Sequence, residues 1–190
     1  MFAALRSGKA SVVTGEIETF TETGLRLVSG EALEADMIVT ATGLKVRLMG
    51  GIKVEVDGKP INVGSTTIYK SLMFSDVPNL ASVFGYTNAS WTLKSDLIAD
   101  YVCRLLEHMD RRGYAICTPR PGRAQIAEEP TLPLTSGYIE RAKNLLPRQG
   151  TAQPWRMNQN YALDVVTLRF APVDDGALEF KRLGQARRAA

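Results

Sequence analysis

Leu80-Ala81-Ser82-Val83-Phe84-Gly85-Tyr86-Thr87-Asn88-Ala89-Ser90-Trp91-Thr92-Leu93-Lys94-Ser95-Asp96 is the stretch on which the fold turns. Residues 80–84 read as a buried strand, and residues 85–88 break it. Beyond the break, Leu97, Ile98, Tyr101, Val102, Leu105, Leu106 and Met109 recur with the 3.6-residue period of an amphipathic helix. Ser90 or Thr92 can cap its start, and Gly113 sits where a helix ends in a left-handed residue. Strand, glycine-containing loop and capped helix form a βα unit, so the expected class is α/β. The helix start offers unpaired N–H groups and the positive end of a dipole to a phosphate, a carboxylate or an electron-rich ring carbonyl. The same features also describe a βα connection whose cap serves only the helix.

Upstream, Asp36-Met37-Ile38-Val39-Thr40-Ala41-Thr42-Gly43 is nearly continuous apolar, as expected for a strand buried on both faces of a parallel sheet. Its small residues at the carboxyl end let a ligand approach the backbone, or simply make a tight turn. Residues 10–13, 17–20 and 25–28, separated by turn signals, predict an antiparallel meander. Residues 52–56 and 60–63 around Asp57-Gly58 predict a surface hairpin.

After Gly113, Pro119, Pro121, Pro130 and Pro133 predict an extended surface loop. Helices are expected over 136–146 and 158–170, with Tyr161, Leu163, Val165 and Leu168 facing inward and Trp155 as a packing anchor.

The 190 residues, 45% hydrophobic and 23% charged, are ordinary for a globular protein. No apolar run reaches membrane-spanning length, residues 1–9 lack a secretory pattern, and a soluble cytoplasmic protein is expected. A single histidine, His108, is expected as a solvated surface residue of the long helix, which disfavours a His-based relay or a His-rich metal centre. Cys103 and Cys117 form no redox or zinc spacing, and no metal site is expected. A net charge of +3, much of it on Lys181, Arg182, Arg187 and Arg188 without interleaved aromatics, gives no nucleic-acid grip. If the chain takes part in catalysis, the chemistry belongs to a bound cofactor.

The 16 glycines form neither G-x-G-x-x-G nor a phosphate-binding loop of the G-x-x-x-x-G-K type. Two dinucleotide domains need about 300 residues. The chain therefore reads as the later portion of a larger nucleotide-binding protein, without its first Rossmann units.

Residues 36–43 resemble the Asp-to-Ala-Thr-Gly segment of flavin-dependent monooxygenases, the group with N- and S-oxygenating and Baeyer–Villiger enzymes. Residues 84–96, Phe84 through Asp96, resemble the last FAD-contacting loop and helix of that family, in the same order and at a similar gap. The resemblance implies the C-terminal portion of a two-dinucleotide-binding flavoprotein. Residues 1–36 would end an NADPH-binding domain, 37–117 would be the later part of an FAD-binding domain, and 118–190 a Pro-rich loop and helical tail.

The implied reaction has NADPH reduce FAD, which with O2 gives a C4a-(hydro)peroxyflavin that inserts one oxygen into a small organic substrate. Ala41, Thr42 and Gly43 would border the flavin and nicotinamide ribose. Asn88, Ser90, Trp91 and Thr92 would lie near the isoalloxazine, with Trp91 turned either to the substrate pocket or into the core. No catalytic side chain is assigned, and the missing N-terminal nucleotide-binding domains are expected to be required. The alternative is a non-catalytic truncated or interaction module that associates with another chain through an exposed sheet edge.

Overall fold

The computed structural model describes residues 1–122, 128–131 and 136–186. Pro133, Arg187 and Arg188 lie outside the described residues. The chain forms two units, Met1–Gly43 and Leu44–Ala190.

In the first unit, helix α1 (Phe2–Arg6) buries no side chain and precedes a three-stranded antiparallel meander. Its strands are β1 (Ile17–Thr21), β2 (Gly24–Leu27) and β3 (Ala32–Glu34). The meander is the predicted one with a different third strand, because residues 10–13 form none and 32–34 take that place. A Cβ on Gly24 would lie 2.0 Å from the Leu33 carbonyl oxygen, so the close pairing of β2 with β3 requires glycine there. The Ser29-Gly30 turn forms as read, with Gly30 at φ 88°.

Residues 37–41 do not form the expected strand. Met37 and Val39 are 81% and 80% exposed. A parallel strand needs hydrogen-bonded neighbours supplied through crossover connections, and every pair of named strands among the described residues is antiparallel. The late parallel sheet is thus absent from the described residues, which form a mixed α/β chain of small sheets.

The second unit opens with the predicted hairpin, β4 (Val54–Val56) and β5 (Lys59–Ile61). Asp57 and Gly58 both have positive φ, as a two-residue turn matched to strand twist requires. A second, shorter-stranded hairpin follows, β6 (Ile68–Tyr69) and β7 (Met73–Phe74). Residues 80–84 are not a sheet strand either. Ala81 bridges Met73, and the N–H groups of Ser82 and Phe84 donate to the carbonyls of Leu72 and Ser71 at 2.7 and 3.2 Å.

Helix α2 (Trp91–Arg112) carries the main core. Ser90 caps it by accepting from the Thr92 N–H at 3.3 Å, and Gly113 ends it at φ 65°. Leu97, Ile98, Tyr101, Leu105 and Met109 are buried against Tyr69, Leu72, Trp155 and Leu168, whereas Leu106, read as part of that face, is exposed. Trp155 packs edge-on to Tyr69 with ring centroids 5.6 Å apart, as expected of an anchor. His108 is not the solvated residue expected. It is half-buried beside Tyr114 and Phe180, and its Nε2 is buried with no partner among the described residues.

Among the described residues after Gly113, strands form where a surface loop is expected. Strand β8 (Ile116–Pro119) pairs with β11 (Leu178–Lys181), and β9 (Glu128–Pro130) pairs with β10 (Arg148–Gly150). Helix α3 spans Gly137–Ala142. Helix α4 (Tyr161–Asp164) runs into a wide π turn over Val165–Phe170. Leu168 is buried there, but Tyr161 and Leu163 face outward, because the π turn shifts the register on which an ideal 3.6-residue period relies. Arg104 of α2 closes that turn by donating to the carbonyls of Leu168 and Ala171 at 2.8 and 2.6 Å.

Candidate functional site

The loop entering α2 is held by the segment that enters α4. The Thr87 N–H and hydroxyl both donate to Gln159 Oε1, at 2.9 and 3.1 Å, and Asn88 Nδ2 donates to the Gln159 carbonyl at 3.1 Å. Asp164, 3% exposed, then takes Tyr86 and Lys94 on one carboxylate oxygen. Tyr86 Oη donates at 2.6 Å and Lys94 Nζ at 2.5 Å, and Asn158 Nδ2 reaches the other oxygen at 3.2 Å. One tail carboxylate therefore clamps the loop at both ends.

Lys94 is 1% exposed, and its Nζ also lies 4.9 Å from the centroid of the Tyr86 ring. Burial lowers its pKa from the ordinary lysine value, and the bond to Asp164 opposes that shift. An unpaired ammonium here would be untenable, so the ion pair is a condition of packing α2 in this position.

A second buried network joins Tyr69, Tyr101, Lys70 and Asp175. The two phenol oxygens are 3.0 Å apart, Tyr69 Oη donates to Asp175 Oδ2 at 2.9 Å, and Lys70 Nζ pairs with the same oxygen at 2.9 Å.

Burial pushes the pKa values of Tyr69, Tyr86 and Tyr101 upward, and that of Cys117 up to about 12. In the unfolded chain a thiol ionises near ~8.5 and a phenol near ~10. The folded state holds these protons more tightly, so stability falls as pH rises past the unfolded values. Lys94 acts in the opposite sense, one group against four. The melting temperature is expected to fall steadily between pH 9 and 11, and a flat profile to pH 11 would refute this ledger.

Against the loop lies a cavity of about 560 Å³, bounded by Gly85, Tyr86, Thr87 and Trp91 on one side and by Val46–Met49 and α3 on the others. Trp91, 58% exposed, lies over the loop. A Cβ on Gly85 would stand 2.3 Å from Cγ and Cδ2 of that indole, so only glycine accommodates it.

The sequence-read residues divide between the units. Asn88, Ser90, Trp91 and Thr92 share the loop and helix start of the second. Ala41, Thr42 and Gly43 are exposed at the end of the first, with Gly43 at φ 92°. The Ser90 and Thr92 hydroxyls bond each other at 2.7 Å and are occupied in the cap. Lys94, Asp164, Gln159 and Gly85 were missed as site residues. Lys94 did carry a signal, a charged side chain one turn into a helix and beside its apolar stripe. Asp164 and Gln159 carried none, being some 70 residues away in sequence.

Over 183 residues the chain is 49% identical to "Probable FAD-binding monooxygenase AlmA" of Acinetobacter baylyi, covering 96% of this chain and 37% of that protein. It is 47% identical over 183 residues to FAD-containing monooxygenase EthA of Mycobacterium tuberculosis, with the same coverage. The chain belongs to the flavin-dependent monooxygenase family. It spans a little over a third of the length of these relatives. No family model matches it, and no solved structure does.

The helix start fits one part of the group that these monooxygenases are named for. The first turn of α2 carries no acidic residue, so no carboxylate competes for its positive end. The Trp91 and Leu93 N–H groups have no carbonyl one turn back to bond. A flavin ring edge with its carbonyls meets both conditions, as would another electron-rich oxygen. Among the described residues there is no cluster of three metal-ligating side chains, and no helix is long and apolar enough to cross a membrane.

Proposed function

We propose that this chain contributes the flavin-edge and substrate-facing part of an FAD- and NADPH-dependent monooxygenase that transfers one oxygen atom of O2 to a small organic substrate. The identity of nearly one half over 96% of the chain to named FAD monooxygenases carries the reading. Bound FAD would supply the activation of O2. The α2 start would hold the ring-edge carbonyls by the Trp91 and Leu93 N–H groups and stabilise negative charge there without reorganisation. Ser90 and Thr92 fix that terminus, Asn88 and Thr87 hold the loop on Gln159, and Trp91 walls the adjacent cavity. Ala41, Thr42 and Gly43 would border the flavin and the nicotinamide ribose.

In this reading residues 1–36 close an NADPH-binding domain, 37–117 contribute the later part of an FAD-binding domain, and 118–190 form the tail that clamps it. Nucleotide-binding domains from outside this chain complete the site. The deciding experiment replaces the matched portion of the Acinetobacter baylyi relative with this chain and measures bound flavin. Stoichiometric FAD in the purified chimera is expected, and a folded chimera without flavin would overturn the proposal.

Gly43→Val in that chimera is expected to remove most of the bound FAD. The cause is conformational: φ is 92°, a region costly for a β-branched residue, while the space around a Cβ there is open to 4 Å. Unchanged FAD content would remove Gly43 from the site. The exposed Met37 and Val39 favour the second reading, an interaction module. A chain that binds a separate protein and leaves the chimera flavin-free would establish it instead.

A further inference from the structure

The cavity beside Trp91 is walled chiefly by apolar side chains, among them Leu48, Met49, Phe84, Ile139 and Leu146. A second cavity of about 450 Å³ uses the same Val46–Met49 segment as a wall and adds Ile52, Ile61 and Val63. Both lie within the second unit, and each has the size of a small-molecule site.

Arg47 lines both cavities, and Lys45 lines the second. Neither side-chain cation has a hydrogen-bond or ion-pair partner among the described residues. Four other cations of this unit are committed, Lys70 to Asp175, Lys94 to Asp164, Arg120 to Asp76 and Glu179, and Arg169 to Asp100, whereas among the described residues Arg47 stays free beside an apolar cavity. The segment between the cavities is also conformationally unusual, with Met49 at φ 46° followed by Gly50 and Gly51 at φ 69° and 89°. A non-glycine residue there is held at some cost by its surroundings.

Resting on the reading above and naming the substrate class of that same site, we propose that the cavity takes an aliphatic chain bearing a terminal carboxylate. The apolar walls would hold the chain, and the guanidinium of Arg47 would pair with the carboxylate at the rim. A neutral aliphatic molecule would use the walls and leave Arg47 unpaired. A short polar anion would use Arg47 and leave the walls wet. An amphiphilic monoanion satisfies both, and the planar fork of arginine matches a carboxylate in two parallel hydrogen bonds.

The test needs neither FAD nor turnover, so it fails or succeeds separately from the flavin experiment. Trp91 borders the cavity, whereas Trp155 is buried in the core and reports only on folding. Decanoate and decanol, each kept below its aggregation limit, are titrated into the purified 190-residue chain while tryptophan emission is followed. Decanoate is expected to bind about tenfold more tightly than decanol, and the signal is expected to vanish in Trp91→Phe. Arg47→Gln, an exposed substitution that leaves the core untouched, is expected to bring decanoate to the affinity of decanol without moving decanol. Raising salt should shrink the difference in the same way, because the pair is at the rim. Equal affinities in the unaltered chain, or an Arg47→Gln variant with full decanoate preference, would overturn the proposal. Binding of decanol alone would leave an apolar site without the anionic recognition and would equally overturn it.

Discussion

Asp164→Ala is expected to destabilise the second unit by about 3–5 kcal/mol, because it leaves the Lys94 ammonium buried without a counter-charge. The Tyr86 hydroxyl and the Asn158 amide lose their acceptor in the same step, and each unmade bond adds to the cost. Against a total stability of about 5–15 kcal/mol, a loss of this size moves a urea midpoint far outside experimental scatter. The companion variant Lys94→Met/Asp164→Ala separates charge from shape. It removes the stranded cation and is expected to recover a large part of the loss, since an apolar replacement for a buried ion pair is often near neutral. A single variant within about 1 kcal/mol of the parent, or a double variant no better than the single, would show that the clamp carries little energy.

Gly85→Val is the second large effect. Its Cβ would fall 2.3 Å from the near atoms of the Trp91 indole, which must turn about χ1 or shift with the first turn of α2 to make room. Overpacking of this kind costs about 1–3 kcal/mol. The functional loss should be greater than that suggests, because the displaced turn carries the N–H groups proposed to face the flavin. In the chimera, FAD affinity is expected to fall more than tenfold, with a shift in Trp91 emission already present in the flavin-free chain. A variant that keeps both its emission and its FAD would remove Gly85 and Trp91 from the proposed site.

Local sequence was informative where local physics decides. Asp57-Gly58 made its hairpin because both residues tolerate positive φ, and α2 ran from Ser90 to Gly113 because capping and periodicity agree over 22 residues. The two apolar segments at 37–41 and 80–84 failed as strands for a common reason. A strand is completed by its neighbours, and among the described residues no parallel neighbour exists to pair with either. The tail was misread in part because β8 finds its partner in β11, some 60 residues later, a pairing no window of local sequence contains.

By itself the sequence determined the family, through two segments in order and nearly one half identity to its members, and it placed the loop and capped helix start that form one side of the candidate site. The tertiary structure decided what holds that loop. Asp164 and Gln159 become site residues only when the tail folds back on α2, because a buried lysine must find its carboxylate in space, and its nearest candidates in sequence, Asp96 and Asp100, are not the ones it reaches.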